Sequence, residues 1–127
     1  MVTGVVLRAF AVHPLFRERQ DVKEAGALVS AYIFKRDVYP DRQDKKHWTQ
    51  FVYPFCYTDL ISVLYSLSLL GCSPLQPDIE KGLQWLIDGQ LESGSWDLKI
   101  TAGRDRETLQ LYLDLAICKL FKQFSLN

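Results

Sequence analysis

The sequence predicts an all-α protein, a partial array of helical hairpins with about five helices, and three observations predict it. Apolar residues recur at three- and four-residue spacings in five separate stretches, the period of one helix face. Residues that start or stop helices, among them Pro14, Asp59, Gly71, Pro77 and Gly89, fall between those stretches. No segment shows the strict alternation of a half-buried strand.

The first helix is expected from Val5 to about His13, with Val5, Val6, Leu7, Phe10 and Ala11 at helical spacing and Pro14 ending it. Asp21 is the expected cap of the second, in which Val22, Ala25, Leu28, Val29, Tyr32 and Ile33 recur up to Phe34. Residues Lys35 to Gln50 are polar, contain Tyr39-Pro40-Asp41 and the run Asp44-Lys45-Lys46-His47, and read as a loop. Trp48, Phe51, Tyr53 and Phe55 then lead into a third helix, capped by Thr58 or Asp59 and closed by Gly71. Its Leu60, Ile61, Val63, Leu64, Leu67, Leu69 and Leu70 cover nearly every face, so it is expected to be buried on more than one side. Pro77-Asp78 opens a fourth helix through Ile79, Leu83, Leu86 and Ile87 that ends around Gly89 to Gly94. The fifth runs from about Arg106 to Phe124, with Leu109, Tyr112, Leu113, Ala116, Ile117, Leu120 and Phe121 on its apolar side.

Laying Asp21-Val22 on Asp78-Ile79, an offset of 57 residues, also places Ala25 on Gly82, Leu28 on Trp85 and Val29 on Leu86. The repeating unit is therefore a helical hairpin. A lone hairpin leaves one face uncovered and normally stacks against others.

The segment from Lys81 to Trp96 carries a basic and a small residue (Lys81, Gly82), an aromatic and aliphatic run from Trp85, then Gln90 and the Gly94-Ser95-Trp96 step. In this order it resembles the QW motif of the terpenoid cyclase and protein prenyltransferase (α/α) toroid superfamily. Tyr39-Pro40-Asp41, the stretch from Trp48 to Phe55, Tyr57-Thr58-Asp59-Leu60 and the stretch from Leu115 to Lys119 are similar to bacterial prenyltransferase/squalene-oxidase repeat proteins. The resemblance implies one (α/α) toroid-like domain over residues 1–127, the C-terminal part of a longer protein. Lys81, Gly82, Trp85, Gln90, Gly94 and Trp96 are structural on this reading. Gln90 would bond free carbonyls at a helix end, Gly94 would take a positive φ, and Trp96 would cover the next helix with its indole N–H bonded to backbone.

Cyclases of this superfamily protonate their substrate from an Asp-rich motif at a helix start, a context that Asp59 shares. A strong acid needs neighbouring donors and charges, and Asp59 has no acidic residue within four positions, so it is a weak catalytic candidate and reads as a cap. Prenyltransferases hold zinc with Asp, Cys and His; here Cys56-Tyr57 matches one step of that pattern, but Pro54 stands where the Asp would be. His13 lies beside Pro14 and His47 in a charged loop, so neither a metal nor any other cofactor is expected. Arg104-Asp105-Arg106-Glu107 reads as a solvated helix start.

Fifteen basic residues balance fifteen acidic ones, which gives no field for nucleic acid or an anionic membrane. Of 127 residues 48% are hydrophobic and 24% charged, enough for one core without an apolar run that could span a bilayer. Cys56, Cys72 and Cys118 are odd in number and lie in apolar runs, which fits a reduced, cytoplasmic setting, and Arg8, His13 and Arg17 interrupt any signal-peptide layout. The leading expectation is a non-catalytic hairpin domain in which Trp48, Tyr53, Phe55, Tyr57 and Trp96 line or rim an apolar cavity for an isoprenoid-like molecule. One alternative is part of a cyclase- or prenyltransferase-like enzyme with its catalytic groups elsewhere. Another is an interaction module that self-associates through exposed hairpin faces.

Overall fold

The computed structural model describes residues 2–35, 45–51, 58–100 and 105–125. Among these, six helices and two short strands follow in the order α1 (Val2–Val12), α2 (Gln20–Ser30), α3 (Lys45–Trp48), β1 (Gln50–Phe51), α4 (Leu60–Leu69), α5 (Pro77–Asp88), β2 (Lys99–Ile100) and α6 (Arg106–Ser125). The fold is predominantly helical. No described helix is long and apolar enough to cross a membrane.

The five expected helices are present as α1, α2, α4, α5 and α6, with instructive differences at their edges. Helix α1 starts at Val2, before the first apolar repeat, because its first turn lies against the start of α4: a Cβ on Gly4 would overlap the Thr58 side chain. The cap of α2 is Arg19 and not Asp21; Asp21 is the second helical residue, and its carboxylate accepts from the Arg19 guanidinium at 2.7 Å and from the Val22 amide at 3.0 Å. The expected loop over residues 35–50 contains the helical turn α3, held by the buried Trp48, whose indole N–H donates to the Lys35 carbonyl at 3.4 Å. Strands were not expected, yet β1 and β2 pair in parallel, Gln50 opposite Lys99 and Phe51 opposite Ile100. Two residues per strand are too few to show alternation, and the pairing is between segments nearly fifty positions apart.

Helix α4 is the hub, packing on α1, α2, α5 and α6. Its Leu60, Val63, Leu64 and Leu67 are fully enclosed, as expected of a helix that is apolar nearly all round. Close approach on one side comes from glycines. A Cβ on Gly82 of α5 would lie 3.1 Å from Leu60 and 3.2 Å from Leu64, and one on Gly26 of α2 would lie 2.7 Å from Leu70.

The helix positions extend the hairpin repeat. Shifting α1 by 57 residues covers 59–69, where α4 runs Leu60–Leu69, and shifting α2 covers 77–87, where α5 runs Pro77–Asp88. Burial repeats as well: Leu7 and Leu64, Val22 and Ile79, Gly26 and Leu83, and Val29 and Leu86 are buried partners under that shift. The first helices of successive hairpins, α1 and α4, lie side by side with α6 beyond, while α2 packs on α1 and α4, and α5 on α4.

Candidate functional site

The side of α4 turned away from Gly26 and Gly82 carries Ile61, Ser62 and Tyr65. At 100° per residue this stripe lies about 140° around the helix from Leu60, Leu64 and Leu67. With Arg8 of α1 and Ala116 and Lys119 of α6, these residues line a cleft of about 220 Å³. Small side chains at Ser62 and Ala116 leave the gap, Ile61 and Tyr65 make it apolar, and Arg8 and Lys119 place a cation on each wall. A second hollow of about 340 Å³ between α1 and α2 is lined by Val6, Leu7, Phe10, Val22 and Ala25, with Thr3 and Asp21 at its edge. Its one charged group, Asp21, is bonded to Arg19.

Asp59 lies behind the cleft wall, only 2% exposed. It caps α4 in a reciprocal box: its carboxylate accepts from the Ser62 amide at 2.8 Å, and the Ser62 hydroxyl accepts from the Asp59 amide at 3.2 Å. Burial pushes the carboxyl up to about 6, opposed by the hydrogen bonds from Ser62 and the positive charge of Arg8. Its geometry is that of a helix cap which titrates near neutrality.

The segment after α5 is a tight turn locked to α6. Gly94 has φ +86°, the Leu91 amide donates to the Ser95 carbonyl at 2.9 Å, and Gln90 bridges to Trp96 across the turn. The Gln90 side-chain amide donates to the Gly94 carbonyl at 2.9 Å and closes the turn, while its backbone N–H donates to the Ile87 carbonyl of α5 at 3.2 Å. The Trp96 indole is 3% exposed and donates to the Leu86 carbonyl at 2.7 Å. From α6, the Asp114 carboxylate accepts from the Ser95 hydroxyl at 2.7 Å and the Trp96 amide at 3.2 Å, and Gln110 donates to the Trp96 carbonyl at 2.6 Å. Lys81 and Trp85 lie elsewhere, around Phe34: the Trp85 ring is tilted against it at 6.2 Å and the Lys81 ammonium is 5.8 Å from its centroid.

The structure gathers the expected site residues only in part. Trp48 is 4% exposed and sits in the core, away from both hollows. Tyr53, Phe55 and Tyr57 lie outside the described residues, as do Pro54 and Cys56. Among the described residues no group of three or more His, Cys, Asp or Glu is placed to hold a metal.

Arg8, Ile61, Ser62, Tyr65, Ala116 and Lys119 were not singled out from the sequence as a site. A signal was present for three of them: Ile61, Ser62 and Tyr65 share one face of α4, and Ser62 interrupts the aliphatic stretch from Leu60 to Leu64. Asp114, alone among apolar neighbours in the middle of α6, was the corresponding sign of the turn lock. Compared with known proteins, the chain matches no family model, no curated protein and no solved structure.

Proposed function

We propose that this chain is a non-catalytic helical-hairpin domain, one arc of an (α/α) toroid-type array, whose α1–α4–α6 face holds an apolar ligand that carries an anionic group. The 57-residue repeat of hairpin and burial pattern supports the array. The observation that carries the ligand reading is the apolar cleft between Arg8 and Lys119, on the side of α4 away from the second helices. Isoprenyl phosphates have this chemistry, an apolar chain with a charged end. The role is binding, because among the described residues the one buried acid beside the cleft is engaged as a helix cap.

Titration with a C15 isoprenyl phosphate and with the matching alcohol tests the reading. The phosphate should bind more tightly, and Lys119→Glu on the exposed surface or Ala116→Trp in the gap should weaken it by about tenfold or more. Binding that ignores both substitutions would overturn the proposal.

A second reading, self-association, has its own support. Leu111, Tyr112 and Leu115 form an exposed apolar ridge on α6, Leu111 being 70% exposed.

A further inference from the structure

We propose that the cleft binds its anionic ligand together with a proton, and that Asp59 is the group that takes the proton up. The inference rests on the cleft reading above and adds its regulation.

The geometry links the cleft to Asp59 through shared neighbours. Arg8 and Ser62 both line the cleft, and both act on Asp59: Arg8 by its positive charge, Ser62 through the reciprocal hydrogen bonds of the cap. Asp59 is almost fully buried, so its charged form depends on these neighbours more than on water. An anion seated between Arg8 and Lys119 offsets the field of Arg8 and adds a negative charge of its own. Both effects disfavour the carboxylate and favour the neutral acid.

Among the described residues that line the cleft, three are charged or titratable. Arg8 faces it from α1, Lys119 from α6 across the cleft, and the Tyr65 phenol lies on α4 itself. From α5 the contact is Gly82 against Leu60 and Leu64, which is not ionisable. His13, at the far end of α1, accepts from the Leu15 amide and leans on Phe16.

The sign follows from linkage. Without ligand the carboxyl titrates at about 6, and with an anion bound it titrates higher. Below both values Asp59 is neutral in either state and affinity is at its maximum. Affinity falls as pH rises from about 6 through the bound-state value, above which the carboxylate is present throughout and affinity is at its minimum. The proton comes from solvent and is held on a carboxyl oxygen; no bond other than O–H is made or broken.

The experiment uses 1-anilinonaphthalene-8-sulfonate, an apolar anion whose sulfonate stays charged across the range, in calorimetry from acid to mildly alkaline pH. Pairs of buffers with different ionisation heats report the protons taken up. The native chain should weaken by about three- to tenfold as pH rises, which corresponds to a shift of half a unit to one unit in Asp59. Uptake should peak between the free and bound titration points. Asp59→Asn keeps an N-cap side chain and should bind at one affinity at every pH with no uptake. Uptake that persists in Asp59→Asn, or Lys119-dependent binding with none in the native chain, would overturn the coupling and leave the cleft reading standing. Binding indifferent to Lys119→Glu would overturn the cleft reading and the coupling with it.

Discussion

At the residue scale, Asp59 shows how one position serves two physical demands that conflict. Its oxygens are required at the N-terminus of α4, where the Ser62 amide is otherwise without a partner, but the same burial penalises its charge. Because its folded value of about 6 lies above the ordinary 3.8, Asp59 contributes stability that is fully present below 3.8 and lost as pH rises through 6. Asp59→Asn keeps the cap and removes the titration. The variant should match the native chain near pH 4 and be more stable by up to about 3 kcal/mol at pH 8, as read by urea unfolding across the range. A constant difference at all pH values would mean that the carboxyl is not the titrating group. Asp59→Ala should forfeit about 1 kcal/mol of the alkaline gain through loss of the cap.

Between elements, the turn after α5 is where local and distant residues meet. Trp96 fills the space under the turn while Asp114 and Gln110 of α6 bond its backbone N–H and carbonyl, and Asp114 also accepts from the Ser95 hydroxyl. Trp96→Ala should cost about 3–5 kcal/mol, whereas Trp96→Phe, which keeps much of the ring and loses the bond to Leu86, should cost less. Asp114→Ala leaves the Trp96 amide without its acceptor and should lower stability by about 1–3 kcal/mol. Thermal melts that rank these variants otherwise would show that the turn and α6 are not coupled. Gly82→Ala probes the next contact: its methyl must displace Leu60 and Leu64, so it should destabilise despite the better helix propensity of Ala.

For the whole molecule, the question is what the unpaired apolar surface does. The inward set on α6, Leu113, Ile117 and Leu120, is fully used against α4, so Leu120→Asp should unfold the chain and says nothing about association. Leu111→Asp and Leu115→Asp alter the outward ridge and leave that core intact. If the ridge is an association surface, sedimentation of the native chain should show a concentration-dependent dimer that either substitution abolishes. A native monomer across the series would remove self-association from consideration.

How much of this was legible in the chain depended on distance along it. The presence of the five main helices, the Asp59 cap, the Gly71 and Gly94 turns and the buried face of α4 were readable because caps, φ angles and 3.6-residue periodicity involve partners within about four positions. Three misread edges have a distant partner: α1 begins early because Gly4 meets Thr58, α3 forms because Trp48 reaches the core, and β1 pairs with β2; the α2 cap is the exception, its Asp21 being paired with Arg19 two residues before it. The cleft belongs to the same class. Arg8, Tyr65 and Lys119 stand more than fifty residues apart and line one cleft because α1 and α6 both pack on α4. Periodicity shows that a helix has a face to bury, whereas the complementary surfaces of other helices decide which neighbour covers it and where a gap is left.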